Sequence, residues 1–288
     1  MKNIILALLV ICCLGACKKE ENAIAPGVLG CMNPNSLNYN AEATINNGLC
    51  IAPIKKQNIL AMEYTAKWCS PCGSWGSKTL HNLSTDPDIY TIAIHQNDVM
   101  SVDGLCASFD QQRPHTGIPY FYIGDYGPDI NWTMTNGGYY VCADNTIEDY
   151  RQQTPTASSV GIVKEDGGDI VLSVSTQFYS NTSGNYYIGA YLMEDGIDGG
   201  ESSGAYNQSG VNGDYNHDYV IRKNFCSNAY GISLESSNIN ENTPFFNTFS
   251  IEKNDLWNID NCYVLIVIWE KETSGFYKFI NINKVAFN

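Results

Sequence analysis

Cys69 and Cys72 are separated by two residues, Ser70 and Pro71, and preceded by Trp68. A dithiol at this spacing is a redox couple. One cysteine attacks a disulfide as the thiolate, and the other, one helical turn on, resolves the mixed disulfide. That chemistry dictates a placement. At a helix N-terminus the free N–H groups and the dipole stabilise a thiolate, so Cys69 becomes the nucleophile near neutral pH. Zinc is the rival use of such a pair, but no second Cys-x-x-Cys and no histidine pair stands at ligand spacing.

The elements around the pair follow from the residue pattern. Residues 58–65 read as a buried strand entering the motif. Residues 73–83 read as the helix leaving it, weakened by Gly73 and Gly76 at roughly 1 kcal/mol each relative to Ala. A dithiol between such a strand and helix is the thioredoxin arrangement. The alternation continues with a strand at 90–95, a helix at 102–112, a strand from Tyr120 and a closing helix at 144–153. Thr116-Gly117-Ile118-Pro119-Tyr120 resembles the thioredoxin-family segment in which a cis-proline faces the dithiol, which implies a cis bond at Pro119. Glu63 stands six residues before Cys69. In thioredoxins an acid at that spacing is buried beneath the disulfide and passes a proton to the second cysteine. The resemblance implies this role for Glu63 if it points inward, where desolvation raises its pKa. The other reading is a solvent-facing residue paired with Lys67.

From Thr156 the texture changes. Residues 169–178 alternate, with Ile170, Leu172, Val174, Thr176 and Phe178 on one face. Further strand candidates are 186–193, 219–225, 245–251, 263–269 and 276–282. Strands separated by turn signals imply a β-sandwich. The expected fold class is an α/β thioredoxin-like domain over 55–153 followed by an all-β, immunoglobulin-like sandwich over 156–288. Between them in character is a Gly-, Asp-, Ser- and Asn-rich loop carrying Glu194, Asp195, Asp198, Glu201, Asp214 and Asp218. These carboxylates either gather a calcium ion or, the preferred reading, belong to a solvated loop. His81, His95, His115 and His217 show no mutual spacing and read as individually satisfied.

The N-terminus gives an address. Met1-Lys2-Asn3 and the apolar run to Ala16 are too short to span a bilayer and read as a signal segment over 1–16. Leu14-Gly15-Ala16-Cys17 resembles the lipobox of bacterial lipoproteins, which implies cleavage before Cys17 and lipidation of that residue. Lys18-Lys19-Glu20-Glu21 resembles a surface-export tag of lipoproteins in one phylum of Gram-negative bacteria. Residues 17–29 then read as a lipidated tether. Residues 30–51 form a module bounded by Cys31 and Cys50, similar to one in secreted proteins of the same phylum. That module is usually acidic, which invites calcium, but Asn33, Asn46 and Asn47 replace the acids here. A disulfide-stapled cap or spacer is the preferred reading.

Eleven cysteines and a formal charge of −14 fit export. Net acidity argues against nucleic acid and against anionic membrane surfaces. Removal of 1–16 and use of Cys17 leave eight cysteines. Proximity suggests Cys31–Cys50, Cys69–Cys72, Cys106–Cys142 and Cys226–Cys262, of which only the second follows from chemistry.

Three features together resemble the outer membrane protein 28-related lipoprotein family. They are the Trp-Cys-x-x-Cys segment, the β-rich second half, and the pairing of Met193-Glu194-Asp195-Gly196-Ile197 with Asn216-His217-Asp218-Tyr219-Val220-Ile221-Arg222. The resemblance implies an outer-membrane lipoprotein at the periplasmic face or cell surface, and structural roles for His217 and Arg222 within the sandwich. Two functions stand open. One is thiol–disulfide exchange with protein thiols or disulfides, using Cys69, Cys72, Pro119 and Glu63 and no cofactor. The other is a surface binding or adhesion lipoprotein with the α/β fold as scaffold, favoured by Gly73 standing where a basic residue usually follows the second cysteine.

Overall fold

The computed structural model describes residues 27–127, 140–234 and 238–287. The expected signal segment 1–16, Cys17 and most of the tether lie outside them. Chain order runs β1 (Leu29–Gly30), β2 (Ile45–Asn46), β3 (Ile59–Thr65), α1 (Ser77–Ser84), β4 (Ile89–His95), α2 (Leu105–Gln112), β5 (Tyr120–Ile123) and α3 (Tyr140–Arg151). It continues with β6 (Ala157–Asp166), β7 (Asp169–Phe178), β8 (Asn185–Glu194), β9 (Ile197–Asp198), β10 (Asn216–His217), β11 (Val220–Asn224) and β12 (Ile232–Ser233). The last strands are β13 (Phe245–Glu252), β14 (Cys262–Lys271) and β15 (Tyr277–Ala286).

β3 is buried along its whole length. It pairs in parallel with β4 through the α1 crossover and antiparallel with β5 on its other side. Strands covered on both faces need no alternation, which is why Ile59-Leu60-Ala61-Met62 is a continuous apolar run.

The α/β half does not end where its helices end. One sheet of eight strands runs β15-β14-β8-β11-β4-β3-β5, with β12 on β8. The junction is a parallel register of Val220 in β11 with Ala93 in β4, reinforced by the Ala93 N–H donating to Tyr219 O at 2.7 Å. A single cross-sheet row therefore links Phe121, Glu63, Ala93, Val220, Glu194 and Cys262. The expected separation into two domains at 153/156 is thus not a break in the sheet.

The second layer is a three-stranded antiparallel sheet, β13-β7-β6. Ile170, Leu172, Val174, Thr176 and Phe178 of β7 are all fully buried, facing the large sheet. β6 and β7 join at Gly167-Gly168, both at positive φ (63° and 102°), as a two-residue hairpin of the primed type requires. The large sheet divides its side chains between two cores. Leu192, Val264 and Ile266 face the small sheet. Tyr191, Leu265 and Trp269 face the side of α2, joining Phe109, Ile59 and Phe121. The β half is therefore a sandwich, as expected, with one of its layers shared with the α/β half. Each half lends the other a wall: Trp269 of β14 packs on Phe109, and Phe279 of β15 on Tyr150.

Cys31 and Cys50 form a disulfide with Cα atoms 5.0 Å apart. In this module Asn33, Asn46 and Asn47 accept from the N–H groups of Asn35, Gly48 and Leu49, so the side-chain oxygens considered for calcium build the loop's own turns. The expected Cys226–Cys262 pair is not formed, and both are free thiols. The reason is topological. Cys262 opens β14 and Cys226 follows β11, and these strands flank β8 on opposite edges. Two strand spacings, roughly 9.5 Å, exceed the reach of a disulfide. Cys106 is also a free thiol, so the expected Cys106–Cys142 bridge is absent; the side chain of Cys142 lies outside the described ones. Arg222 pairs with Glu194 at 3.1 Å across β11 and β8, both side chains almost fully buried. No helix among the described residues is long and apolar enough to cross a membrane.

Candidate functional site

The strand β3 delivers the chain to Trp68, which is half exposed at the rim. Cys69 and Cys72 follow, joined as a disulfide with Cα atoms 5.2 Å apart. Cys69 is 5% and Cys72 1% exposed, so Cys69 is the more exposed residue of the pair. The Cys72 N–H points at Cys69 Sγ at 3.2 Å, the donor a thiolate there would use. A π-type turn over Cys72–Gly76 then leads into α1. Such turns are rare and recur at functional sites.

The Ile118–Pro119 bond is cis, and Ile118 O lies 3.6 Å from Cys69 Sγ. Ala66, both cysteines and Ile118 form a small apolar patch of their own. Behind it Glu63 points inward and is 2% exposed. Burial pushes its pKa up to about 8, with a Thr65 hydrogen bond drawing it partly back, and Oε1 has no hydrogen-bond partner. Cys69, Cys72, Pro119 and Glu63 are thus gathered in one place. The glycines are part of the fit: a Cβ on Gly76 would lie 2.4 Å from Glu63 Oε1 and 2.9 Å from Pro119 Cβ.

The loop expected to be solvated sits on this motif. Gln208, 2% exposed, donates to Cys69 O at 2.8 Å, and Ser209 N–H donates to Lys67 O at 2.7 Å. Gly73 has no side chain because Gln208 Cγ and Val211 occupy that space, and Gly210 is pressed against Ser70. The residue at 73 is therefore small to admit the loop. The loop's carboxylates are engaged locally: Asp195 accepts from Tyr219 N–H, Asp218 from Gly196 N–H and Asp198 from Gly200 N–H. Among the described residues no group of three or more acidic, histidine or cysteine side chains has metal-binding geometry.

Glu63 opens on a cavity of about 300 Å³ between α1, β4 and the chain around 215–219. His95 and His217 meet here, edge to face, with ring centroids 5.5 Å apart. His95 Nδ1 is 2.8 Å from Asp98 Oδ2. Burial alone would raise Asp98, but its bonds to His95 and to the N–H groups of Lys67 and Met100 together hold it below the usual range. His217 Nε2 is 2.8 Å from Tyr206 O, and burial, then neighbouring His95, lower its pKa to about 4. So His217 does not brace the sandwich; it lines the cavity that Glu63 and His95 also line. His81 bonds Tyr219 Oη, while His115 stacks on Tyr64 and pairs with Asp110. Sequence reasoning missed Gln208 and Tyr215 altogether. His217 was singled out only by its motif, whose two halves meet as the antiparallel pair β9–β10.

The model of the family described as outer membrane protein Omp28 matches residues 142–288. No curated protein matches the chain by sequence. Among solved structures the chain is similar to HBP35 of Porphyromonas gingivalis, at 16% identity and a TM-score of 0.66, over 81% of this chain and 76% of that one. At that identity the likeness speaks to fold. A sporulation control protein, Spo0M from Bacillus subtilis, also matches, at 12% identity and a TM-score of 0.28 over 46% of this chain and 49% of that one, too low to carry an argument.

Proposed function

The chain belongs to the outer membrane protein Omp28 family, and from that premise we propose that it is an exported, lipid-anchored thiol–disulfide exchange protein with a thioredoxin-like half. Lipidation at Cys17 would hold it to the outer membrane. One observation carries the redox reading: the Cys69–Cys72 disulfide is faced by the cis Ile118–Pro119 bond and backed by the buried, half-unpartnered carboxyl of Glu63.

The reduced form works as follows. The Cys69 thiolate attacks one sulfur of a substrate disulfide, forming a mixed disulfide and releasing the first substrate thiolate. Cys72 then gives its proton to the Glu63 carboxylate, and its sulfur attacks Cys69 Sγ. The second substrate thiolate leaves, and the Cys69–Cys72 disulfide remains. Two electrons pass from the dithiol to the substrate. In the opposite direction the same steps oxidise a substrate dithiol. Pro119 and the Ile118 carbonyl align the substrate backbone beside Cys69 Sγ. A carboxyl near pKa 8 serves this chemistry because it is poised to gain and lose a proton close to neutrality.

The test is reduction of insulin by the purified chain with a dithiol donor, with Cys69→Ser as control. Activity that disappears in the variant supports the reading. Equal, background rates in both defeat it, and favour the binding-lipoprotein alternative, for which the loop packed on Ser70 and Gly73 is the supporting observation.

A further inference from the structure

The loop between β9 and β10 lies in the half that the family model matches, yet its middle is built onto the dithiol turn of the other half. Three carbonyls of that turn meet its donors. The Ser209 N–H reaches Lys67 O at 2.7 Å, and Gln208 Nε2 reaches Cys69 O at 2.8 Å and Ala66 O at 3.4 Å. Gln208 Nε2 also faces Ser209 O at 3.3 Å. A carbonyl only accepts, so three of them around one end of the amide fix which way the side chain points. Gln208 is buried, and these bonds are shielded from solvent.

The bond to Cys69 O bears most directly on the chemistry. Within the turn that carbonyl is met by the Gly73 N–H at 3.3 Å, and Gln208 supplies the shorter bond. The same turn carries the Cys72 N–H to Cys69 Sγ at 3.2 Å. Holding the carbonyl therefore holds the donor aimed at the sulfur. The amide also acts electrostatically. A carbonyl oxygen is the negative end of a peptide dipole, and this one belongs to the residue on which the thiolate develops. A donor N–H on that oxygen offsets it where little solvent screens the effect. Two glycines make room for the contact. A Cβ on Gly73 would meet Gln208 Cγ at 2.5 Å and Val211 Cγ2 at 2.8 Å, and Gly210 lies against Ser70. The titratable groups on the elements around the turn are Glu63 beside Gly76, Lys67, Asp98 on the Lys67 N–H, Lys78 of α1, and His115 ahead of the cis bond. The contacting stretch of the loop, Gln208 to Val211, adds none.

We propose that Gln208 is a positioning residue for Cys69: its amide, carried by the β half, keeps the dithiol turn shaped for a thiolate and thereby sets how readily the pair is reduced. The proposal rests on the exchange reading above and deepens it. A stabilised thiolate stabilises the reduced form, so the Gln208 bond makes the pair the more oxidising. No bond to Gln208 forms or breaks in exchange, and electrons and protons move as already described.

The experiment reads two quantities in the purified chain, both by peptide mass spectrometry so that the other thiols do not enter. One is the pH dependence of Cys69 alkylation. The other is the equilibrium of the Cys69–Cys72 disulfide with glutathione. Gln208→Met fills the same space without a donor. It slows Cys69 alkylation near pH 6 about fivefold and moves the equilibrium about fivefold toward the disulfide, the weight of one hydrogen bond. Gln208→Ala moves both the same way and replaces Met should that variant fail to fold. Gln208→Lys restores a donor and gives parental values or a shift in the opposite direction. Val211→Ala thins the same packing, keeps the donor and stays at the parental values. Parental values in Gln208→Met overturn the proposal, as does a Lys variant displaced like Met or a Val211→Ala variant displaced as far as Met. If the parent shows no Cys69-dependent insulin reduction, the exchange reading fails, while these two measurements still decide whether Gln208 tunes Cys69.

Discussion

Gly76 stands over Glu63 so closely that a Cβ on it would meet Oε1 at 2.4 Å. Helix propensity alone favours Ala there by about 1 kcal/mol. The contact predicts the opposite sign. Gly76→Ala lowers stability by about 1–3 kcal/mol, the usual cost of overpacking, because Pro119 closes the other side. Urea unfolding checks this. A variant as stable as the parent would mean the helix start has room to move off the carboxyl.

Cys69 reacts first. In the reduced chain, iodoacetamide near pH 6 labels Cys69 ahead of Cys72, read by peptide mass spectrometry. It is the more exposed residue of the pair, and the Cys72 N–H points at its sulfur. Cys226 and Cys262 stay unlabelled in the folded chain, since burial pushes their thiols up to about 11 and about 12. Labelling of Cys72 before Cys69 would reverse the assigned roles.

Stability carries the signature of Glu63. Its folded pKa, about 8, lies above the ordinary 4.5, so the folded state binds more protons between those values. Its contribution is full below pH 4.5 and is lost as pH rises toward 8, at up to about 1.4 kcal/mol per unit. His217 has the opposite sign. Lowered from 6.5 to about 4, it adds stability as pH rises through that interval. The two oppose one another from about 4.5 to 6.5, and Glu63 stands clear from 6.5 to 8. In that upper window unfolding free energy falls with pH in the parent and is flatter in Glu63→Gln. Equal slopes would show that the carboxyl ionises normally.

Disulfide mapping of the denatured, unreduced chain yields Cys31–Cys50 and Cys69–Cys72, with Cys106, Cys226 and Cys262 as alkylated monothiols. A recovered Cys226–Cys262 peptide would contradict the placement of β11 and β14 on opposite sides of β8.

Local signals in the chain were legible where one residue's environment is set by its sequence neighbours. The strand–dithiol–helix run, Pro119 and the alternation of β7 all lie within short windows. β6 is absent from the strand candidates, and its Ser158 and Ser159 carry no apolar signal of a buried strand. They are buried instead, with Ser159 Oγ bonded to Thr176 Oγ1 at 2.7 Å. The Cys226–Cys262 pair failed for a related reason: nearness along the chain says nothing about which edge of β8 a strand takes. Glu63 was placed by spacing, but the cavity it lines together with His95 and His217 was not. His95 and His217 are 122 residues apart and meet only because β11 docks on β4. Nor does a Gly- and Ser-rich loop reveal that one of its members, Gln208, will plug the backbone of the dithiol.

The register of Val220 with Ala93 has a consequence for anyone dividing this chain. A cut between the halves would leave β4 and β11 as raw sheet edges, flat rows of unpaired N–H and C=O groups flanked by apolar side chains. Such edges are templates for pairing with whatever strand comes next. Truncated halves would aggregate, and the dithiol would lose the back wall of its site together with its neighbour strand. The molecule's folding unit is the pair of halves, joined by that register and by the core they share.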